Sequence, residues 1–568
     1  MIPKVWKPVK TNEADVKKLQ KELPIHPVFC QLLVQQGIHS VHDAKSFFYP
    51  DLKHLHDPFL MQDMDLAVDR LHQAIKGQEK ILLYGDYDVD GTTSVAVMFR
   101  FLKKLGLNPD YYIPDRYKEG YGISFQSIDY AEKHQINLFI AMDCGIRAEK
   151  QTRAANHYGI DLIICDHHTP GENLPTAAAV LDPKRKDCHY PFQGLSGCGV
   201  VFKLIQAYCL KHDLPDNYWQ DILDLLAISI AADIVPMTGE NRILAHYGLQ
   251  KLNQTNRPGL KALIDHSKKE YPLNISDVVF GLAPTINAAG RMADAATAVK
   301  LMLTNSRENA KEIVKALDYR NELCRSFEQR ITEEAIETFT TSDGWEDKKS
   351  ACLYQEHWHK GVIGIVASRM VEKFYKPTII FTKSDNKVVG SARSVKGFDI
   401  LEAITRCEDL LVNFGGHQYA AGLTLLPENV PAFCDRFEGV VQVSLPDHLQ
   451  SPQIDINAEL KFEDITPKFR RILAKFAPFG PGNRNPVFQT FNVMDTGYSK
   501  TLKKEHINLS LRQHGGPPLK GMAFFMSEYA EKVYTRDPFD ICYNLRENTW
   551  QGKSTLQLMV KDMKFGEE

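Results

Sequence analysis

The stretch ILLYGDYDVDGTTS (residues 81–94) decides the fold, because it joins an apolar strand to an acidic turn and a helix. Asp86, Asp88 and Asp90 alternate directly after the strand, and Gly91 opens the helical stretch. Open α/β sheets build their functional sites at the carboxyl ends of their strands. Three carboxylates on one turn repel one another unless a cation compensates them, so the motif predicts a metal site. A solvated acidic turn with a helix-capping Asp is the alternative for this motif taken alone.

Three further segments end in residues that bind metals. NLFIAMDCG brings Asp143 to the end of an apolar run, and DLIICDHHTP brings Asp166, His167 and His168 to the end of another. Asp233 follows a helical stretch and precedes Ile-Val-Pro. A parallel sheet would bring these ends to one edge. Mixed carboxylate and imidazole ligands suit Mn²⁺, or Mg²⁺ with fewer His contacts, and the absence of thiolates argues against structural zinc.

The pattern of short apolar runs and helical stretches predicts an α/β fold. Five apolar runs alternate with helical segments at 92–105, 127–134 and 148–158; the runs are ILLYG, DYYIP, NLFIAMD, DLIICD and AAAVLDP. Alternation of this kind implies βαβ units and a parallel sheet covered by helices on both faces. A 3.6-residue apolar period without Pro or Gly predicts one long helix over 307–339.

The same patterns divide the chain. After residue 451, short alternating strands separated by Gly and Pro turns suggest a small barrel of the OB type. The predicted domains are an N-terminal helical extension (1–75), a parallel-sheet domain (76–250), a connector with the long helix (251–345), a second α/β domain (346–446) and an OB-like β-barrel (451–568).

Composition excludes several classes of protein. The chain has 568 residues, 43% of them hydrophobic and 24% charged, which excludes collagenous, disordered and disulfide-scaffold proteins. Its eleven Cys form no C-x-x-C pair, so we expect reduced cysteines that act as small apolar residues. The N-terminus lacks an apolar signal region, and no segment approaches 18 uncharged apolar residues. We therefore expect a cytoplasmic protein that does not enter the membrane.

Charge is unevenly distributed along the chain. The net charge is −3, but residues 461–568 carry 17 Lys and Arg against 12 Asp and Glu. A basic tail on an acidic body suits a chain that gathers carboxylates around metal and binds anions elsewhere. Ordinary surface variation explains these counts equally well.

The motifs resemble a known family. GDYDVDG, MDCG, CDHH and AADIVP resemble the four motifs of the DHH phosphoesterases. Three later segments resemble the DHH-associated second domain of that family: HWHKGVIGIVASR (357–369), VGSARS (389–394) and FGGHQYAAGLT (414–424). Together with INAAGRM (286–292), the long helix and the barrel, the resemblance covers essentially the full length. It points to the single-strand-specific 5′→3′ DNA exonucleases of this family.

The resemblance implies two-metal phosphodiester hydrolysis with two Mn²⁺ or Mg²⁺ ions. Asp143 is the best candidate for a bridging ligand, and Asp86 either binds a metal or orients a residue that does. The other implied ligands are Asp88, Asp90, His167 and Asp233. Of the implied catalytic groups, His168 donates a hydrogen bond to the scissile phosphate or assists the departing oxygen, and Asp166 orients its neighbours.

A 5′-directed exonuclease must also bind a terminal phosphate. Arg291, and Arg393 beside Ser391, are suited to grip phosphate because a guanidinium donates two hydrogen bonds at once. Two consecutive glycines followed by a histidine allow backbone N–H groups to approach a phosphate closely; these are Gly415, Gly416 and His417. The resemblance adds Arg116 and His359 to the substrate-binding set.

The expected substrate is single-stranded DNA, digested to 5′-mononucleotides during DNA repair and recombination. The tail carries aromatic residues among lysines and arginines, which is typical of sequence-tolerant single-strand binding. A RecQ-type helicase and a single-strand-binding protein are the expected partners. The main alternative is a DHH phosphodiesterase acting on short oligonucleotides or cyclic dinucleotides. A non-catalytic scaffold would not need to concentrate carboxylates, and a pyrophosphatase would not need a barrel.

Overall fold

The computed structural model describes residues 2–292, 294–550 and 553–566. The chain forms two compact units. We call residues 50–330 with 478–483 the sheet unit, and residues 1–49, 331–477 and 484–568 the barrel unit. Among the described residues, no helix is both long and apolar enough to cross a bilayer.

The first 49 residues belong to the barrel unit. They form a strand, β1 (Val5–Pro8), and three helices, α1 (Glu13–Glu22), α2 (Pro27–Gln35) and α3 (Val41–Phe48). Side-chain caps on the first backbone N–H groups begin each of these helices, from Asn12, His26 and Ser40 in turn. The helices were predicted, whereas β1 was not.

The sheet unit is built on a five-stranded parallel sheet in the order β3-β2-β4-β5-β6. Its elements are α4 (Met64–Gly77), β2 (Ile81–Gly85), α5 (Val89–Lys104), β3 (Asp110–Tyr112), α6 (Phe125–Lys133), β4 (Leu138–Met142), α7 (Glu149–His157), β5 (Asp161–Cys165) and β6 (Ala179–Leu181). Successive residues such as Leu82 and Leu83 enter two separate cores on the two faces of the sheet. The predicted parallel sheet is therefore confirmed, with helices on both faces.

Further helices follow the sheet in the chain, and the last of them continues into the barrel unit. They are α8 (Gly197–Lys211), α9 (Asn217–Gln220), α10 (Leu223–Ala232), α11 (Gly239–Asn253), α12 (Pro258–Ser267), α13 (Ile275–Asp277), α14 (Ala283–Met292), α15 (Ala296–Leu303) and α16 (Arg307–Thr340). α10 is buried along nearly its whole length because it packs against α5, α8 and α11 at once. α16 confirms the predicted long helix and contains the boundary between the two units.

A mixed sheet forms the first half of the barrel unit, in the order β10-β11-β9-β8-β7. Its elements are β7 (Ala351–Tyr354), α17 (Ile363–Phe374), β8 (Thr378–Ser384), β9 (Lys387–Arg393), α18 (Ile400–Thr405), β10 (Leu411–His417), β11 (Ala420–Leu425) and α19 (Val430–Ser444). β7 and β8 run parallel, and the other neighbours run antiparallel. Phe433 and Phe437 of α19 are buried in the core beneath this sheet. The predicted second α/β fold is confirmed.

The tail forms a closed barrel. Its elements are β12 (Gln453–Ile456), β13 (Ala458–Glu459), α20 (Pro467–Ala474), β14 (Phe488–Asp495), β15 (Lys500–Leu502), β16 (His506–Gln513), β17 (Leu519–Ala523), α21 (Ala530–Tyr534), β18 (Phe539–Trp550) and β19 (Lys553–Phe565). Five strands pair in the order β14-β18-β19-β17-β16, and pairing of β16 with β14 closes the ring. The OB-like barrel is thus confirmed.

The N-terminal residues are fastened to the barrel. β1 pairs in parallel with β12, and the ring of Phe29 in α2 lies 4.4 Å from that of Phe469 in α20, centroid to centroid. Gln31 and Gln35 donate hydrogen bonds to the carbonyl of Asn457. Removal of the tail would therefore expose apolar surface on the N-terminal helices.

The cysteines differ from expectation at two positions. Nine described cysteines are free and buried, as predicted. Cys352 in β7 and Cys434 in α19 instead form a disulfide, with Cα atoms 5.6 Å apart. The expectation that every cysteine is reduced is therefore wrong for this pair, because the packing of β7 against α19 brings two distant positions together.

Candidate metal centre and substrate cavity

The acidic turn after β2 holds three carboxylates at the carboxyl edge of the parallel sheet. Asp88 caps α5 by accepting a hydrogen bond from the Gly91 N–H at 3.1 Å. A side chain at Gly91 would overlap the backbone of Asp86, so the turn requires glycine there. Asp86 and Asp90 are almost completely buried. Asp88 is half-buried, so the turn is largely withdrawn from bulk solvent.

Asp143 follows β4 in a strained conformation. Its φ of +61° lies in the left-handed region, which non-glycine residues adopt at a cost in free energy. Gly197, at the start of α8, lies against it: a Cβ on Gly197 would lie 2.6 Å from the Asp143 carboxylate oxygen. The surrounding packing therefore fixes where this carboxylate points. Strain of this kind is common at functional sites.

Asp90 is held by the N-terminus of α8. Its Oδ2 accepts a hydrogen bond from the Gly197 N–H at 2.7 Å, and its Oδ1 accepts one from the Cys198 N–H at 2.9 Å. The Ser229 hydroxyl donates a third at 2.7 Å. These donors stabilise the ionised carboxylate and fix its direction. A carboxylate offers about four lone-pair sites, so it can still bind a cation.

His167 follows β5 and has one nitrogen committed to the backbone. Its Nδ1 lies 3.0 Å from the carbonyl oxygen of Leu195, and a bond to this acceptor requires hydrogen on Nδ1. The lone pair of Nε2 then faces carboxylate oxygens of Asp143 at 3.1 Å, Asp233 at 3.7 Å and Asp90 at 3.9 Å. Burial lowers the pKa of His167, which favours the neutral imidazole. A neutral Nε2 beside carboxylates is typical of a metal ligand with a backbone-oriented ring.

Asp166 differs from the other carboxylates in being saturated with donors. It accepts hydrogen bonds from the N–H groups of Ile146 at 2.9 Å and His167 at 2.7 Å, and from the Nδ1–H of His168 at 2.8 Å. Burial alone would raise its pKa, but these donors and the positive charge of His168 lower the pKa to about 2. Asp166 therefore fixes the ring of His168 and the backbone of His167.

Three sets of three ligand atoms lie close enough together to share a cation. The members of each set lie within 4.8 Å of one another; the sets are Asp86, Asp88 and Asp143; Asp90, His167 and Asp233; and Asp143, His167 and His168. The predicted metal-binding residues thus converge at one edge of the sheet.

Several of these atoms lack a partner in the protein. Asp86 Oδ1, His167 Nε2 and Asp233 Oδ2 are buried without a hydrogen bond from any described residue. Buried polar atoms are nearly always bonded, so orphaned atoms that converge call for a ligand. Burial and then the charge of neighbouring carboxylates raise the pKa of Asp86, Asp143 and Asp233 well above the usual value. Divalent cations would relieve both the repulsion and the unmet bonding, so the donor set fits Mn²⁺ or Mg²⁺.

A cavity of about 350 Å³ opens beside the acidic turn. Its lining residues are Asp86, Tyr87, Asp88, Arg116, Tyr121, Asn287, Gly290 and Arg291. The guanidinium of Arg116 lies 5.0 Å from the centre of the Tyr87 ring. Burial, and then the charge of Arg116, lower the pKa of Arg291. Among the described residues neither guanidinium forms an ion pair, so the cavity holds two cationic groups that suit a phosphate.

The remaining predicted substrate residues lie in the barrel unit. Arg393 in β9 donates hydrogen bonds to the Ser391 hydroxyl at 3.1 Å and to the Ala392 carbonyl at 2.7 Å. Gly422 in β11 pairs with Ser391 in β9 on one side and with Gly415 in β10 on the other. Ala420 in β11 pairs in the same way with Arg393 and His417. Gly416 follows Gly415 in β10, and His359 precedes α17 and accepts a hydrogen bond from the Gly361 N–H. Ser391 and Gly415 therefore lie in one row across the three strands, and Arg393 and His417 lie in another.

Two residues at the site were not predicted. Asp182, directly after β6, is completely buried, and its Oδ2 has no partner among the described residues. Burial raises its pKa to about 7. The sequence run AAAVLDP could have indicated Asp182, since this Asp follows a predicted strand as Asp143 does. Tyr121 is the second residue that was not predicted. It lies alone in a Gly-rich loop, where no periodic or strand-end pattern indicates a functional residue.

Asp182→Asn is expected to stabilise the protein more at pH 8 than at pH 4.5. A carboxyl with a raised pKa keeps its proton in the folded state while the unfolded chain releases it above about pH 3.9. Stability therefore falls as pH rises from about 4 to 7, by roughly 2–4 kcal/mol in total. Thermal unfolding at both pH values, with Asp129→Asn on α6 as an exposed control, measures the difference. An equal gain at both pH values would contradict the assignment.

Comparison with known proteins agrees with this architecture. Three family models match the chain: the DHH family N-terminal domain at residues 80–230, the DHHA1 domain at 347–443 and the RecJ OB domain at 456–562. The single-stranded-DNA-specific exonuclease RecJ of Bacillus subtilis (strain 168) is 37% identical, over 99% of this chain and 71% of its own length. The protein of that name from Salmonella typhimurium is 30% identical, over 98% of both chains.

A solved structure extends the match to three dimensions. The crystal structure of RecJ in complex with Mn²⁺ from Thermus thermophilus superposes with a TM-score of 0.84 at 26% identity, covering 99% of this chain and 80% of that one. Sequence identity, domain order and fold all agree over nearly the whole length. The chain therefore belongs to the RecJ family of single-stranded-DNA-specific exonucleases, within the DHH phosphoesterases.

Proposed function

We propose that the chain is a metal-dependent exonuclease that digests single-stranded DNA from the 5′ end and releases 5′-mononucleotides. Two observations together carry the proposal. Ligand atoms of His167 and Asp233 are buried without a hydrogen bond from any described residue, and the guanidinium groups of Arg116 and Arg291 line the cavity beside the acidic turn. Hydrolysis of a phosphodiester needs metal ligands and phosphate-binding cations side by side, and the sheet unit supplies both.

The residues that would hold two Mn²⁺ or Mg²⁺ ions are Asp86, Asp88, Asp90, Asp143, His167 and Asp233. Bound cations of this kind lower the pKa of water and neutralise charge on the phosphate. Asp143 is the proposed bridging residue, because of the two residues that belong to two of the three ligand sets, Asp143 and His167, only the carboxylate has two oxygens to offer. Asp90 is the most firmly held of the six, because α8 binds it through both oxygens.

His168 is the proposed donor to the scissile phosphate or the departing oxygen. Asp166 accepts its Nδ1–H and so leaves Nε2 for the substrate. Although burial lowers the pKa of His168, the bond to Asp166 and the charge of that carboxylate raise it overall. A raised pKa favours the protonated imidazole, which can donate a hydrogen bond to a phosphate oxygen.

Arg393 and Ser391 are proposed to grip the terminal 5′-phosphate. Arg393→Ala is expected to weaken binding of 5′-phosphorylated strands by about 10- to 100-fold, since charge-assisted hydrogen bonds contribute roughly 1.5–3 kcal/mol. Strands that end in a hydroxyl should lose much less. Binding is measured by fluorescence anisotropy without divalent metal. Arg436→Ala, which removes an exposed arginine paired with Asp409 in the same unit, is the control. Equal losses on both ends would show a general backbone contact.

The barrel is proposed to hold the single strand. Phe488 is buried in the core, but Phe491, Tyr498, Phe524 and Phe525 are exposed. Lys500, Lys503 and Lys504 lie in the hairpin of β15 and β16, in which His506 contacts the rings of Phe524 and Phe525. Exposed aromatic rings with basic neighbours suit stacking on bases together with contact to phosphates.

Replacement of Lys500, Lys503 and Lys504 by Ala is expected to flatten the salt dependence of DNA binding. Each neutralised phosphate contributes about 0.7 to the slope of log affinity against log salt for single strands, so the slope should fall by up to about 2. The measurement is a binding series over salt. The matched control replaces three exposed lysines of α1, Lys17, Lys18 and Lys21. An unchanged slope would show that the barrel lysines do not contact the strand.

A phosphodiesterase for short oligonucleotides or cyclic dinucleotides is the second candidate, because the two-domain core would be similar. The barrel favours the exonuclease, since a dinucleotide needs no long track. Release of products from a long 5′-labelled strand in the presence of unlabelled competitor separates the two candidates.

An enzyme restricted to single strands needs opened DNA. We therefore propose a RecQ-type helicase and a single-strand-binding protein as cytoplasmic partners. Stimulation of duplex digestion by added helicase tests this part of the proposal.

A further inference from the structure

The loop after β3 carries a tyrosine between two glycines. We call residues 119–122, Glu-Gly-Tyr-Gly, the tyrosine arch. Gly120 and Gly122 have φ values of +82° and +91°, in the left-handed region, and neither would meet another atom if it carried a Cβ. Glycine is therefore required by the backbone path and not by packing. Tyr121 lies between these two glycines, in the middle of the arch.

Both ends of the tyrosine arch are fixed. The Glu119 carboxylate accepts hydrogen bonds from the Asp115 N–H at 2.8 Å, the Tyr112 hydroxyl at 3.0 Å and the Ser124 hydroxyl at 2.6 Å. On the other side, the buried Tyr84 donates its hydroxyl to the Gly122 carbonyl at 2.6 Å. The base of the arch is thus tied to the parallel sheet, so the position of Tyr121 is built into the fold.

The hydroxyl of Tyr121 contacts His168. It lies 3.0 Å from Nδ1 and 3.4 Å from Nε2, and the two ring centroids lie 5.5 Å apart. Asp166 already accepts the hydrogen of Nδ1 at 2.8 Å. Without substrate, Nε2 is therefore the nitrogen of this imidazole that the Tyr121 hydroxyl can bond, and the scissile phosphate would take over that bond. Asp166 and Tyr121 together restrict rotation of the ring.

The ring of Tyr121 is available to a ligand. It is 55% exposed, in contrast to Tyr84, which is completely buried. It also lines the cavity that contains Asp86, Arg116 and Arg291. An aromatic face on the wall of a cavity lined by two arginines is a suitable platform for a nucleoside whose phosphate the arginines would bind.

We propose that Tyr121 positions the substrate in two ways: its ring packs against the nucleoside being removed, and its hydroxyl aligns His168 with the scissile phosphate. The inference rests on the proposed exonuclease function and adds a specificity-determining residue to it. Two separable chemical groups, the ring and the hydroxyl, carry the two effects. They can therefore be tested independently.

Tyr121→Phe and Tyr121→Ala separate the ring from the hydroxyl. Tyr121→Phe is expected to lower kcat about tenfold and to leave KM within about twofold, because the platform remains. Tyr121→Ala should also raise KM about tenfold. A 5′-terminal abasic nucleotide should raise the KM of the wild-type protein and of Tyr121→Phe, but not that of Tyr121→Ala. Affinity for Mn²⁺ and the melting temperature should be unchanged in both variants.

Tyr158→Phe is the matched control, since Tyr158 is an exposed tyrosine at the end of α7; it should behave as wild type. Wild-type kcat in Tyr121→Phe would overturn the role of the hydroxyl. Equal sensitivity of Tyr121→Ala and wild type to the abasic nucleotide would overturn the role of the ring. An inactive wild-type protein with Mn²⁺ would refute the exonuclease function itself and this inference with it, an outcome distinct from the other two.

Discussion

Asp143→Asn is expected to reduce hydrolysis of single-stranded DNA by about a thousandfold or more, roughly 4 kcal/mol of activation free energy. The substitution keeps the shape of the side chain but removes the charge shared by two ligand sets. The fold should remain, because burial and the charges of Asp90 and Asp88 already raise the pKa of Asp143. A neutral amide relieves that repulsion. Release of nucleotides from a 5′-labelled strand in Mn²⁺ measures the effect.

Asp110→Asn is the control for this substitution. Asp110 lies exposed at the first position of β3, so its loss should change neither activity nor stability. The melting temperature of Asp143→Asn in chelator should equal or exceed that of wild type. Activity within about tenfold of wild type would remove Asp143 from the metal centre.

Glu240→Gln is expected to destabilise the sheet unit by about 3–5 kcal/mol, because it leaves a buried lysine without its counter-charge. Lys203 of α8 and Glu240 of α11 are both completely buried and pair at 2.6 Å. Tyr190 donates its hydroxyl to Glu240 at 2.5 Å, and Lys203 also donates to the His56 carbonyl. Burial lowers the pKa of Lys203 despite the neighbouring carboxylate. The melting temperature measures the loss.

The double variant Lys203→Met with Glu240→Gln should recover much of this loss, since no unpaired charge remains. Asp65→Asn, which breaks an exposed ion pair with Lys211, should cost less than about 1 kcal/mol. The result bears on catalysis as well, because α8 carries the N–H groups that hold Asp90. If Glu240→Gln unfolds at the wild-type temperature, the pair does not brace α8.

The sequence was most informative where buried strands end in acidic residues. ILLYG and its neighbours are predicted as parallel strands because both of their faces are buried, and a parallel sheet brings Asp86, Asp143 and Asp166 to one edge. The structure places them there. The long helix followed from its unbroken apolar period, and its observed end at Thr340 lies one residue beyond the prediction.

Contacts between distant segments could not be predicted in the same way. Nothing in the local pattern indicates that Gly197 packs against Asp143, or that α8 binds Asp90 from more than a hundred residues away. The resemblance implies that Asp166 orients its neighbours, but no local pattern identifies the Ile146 N–H as one of its donors. Roles of this kind depend on tertiary packing, which a single sequence does not encode in its periodicity.

The N-terminal residues illustrate the same limit. The helix caps at Asn12 and Ser40 can be predicted locally, but the pairing of β1 with β12 joins segments more than four hundred residues apart. Tail deletion would therefore disturb the whole barrel unit. Point substitutions of the barrel lysines are the sound test of DNA binding.

The most direct test of the metal centre is an anomalous difference map from crystals of the wild-type protein soaked in Mn²⁺. The account predicts two peaks about 3.5–4 Å apart, with Asp143 in contact with both and His167 in contact with one. Asp166 should contact neither, because its oxygens are occupied by backbone and His168 donors. Crystals that hold Mn²⁺ elsewhere but show no peak beside Asp143 would contradict the account.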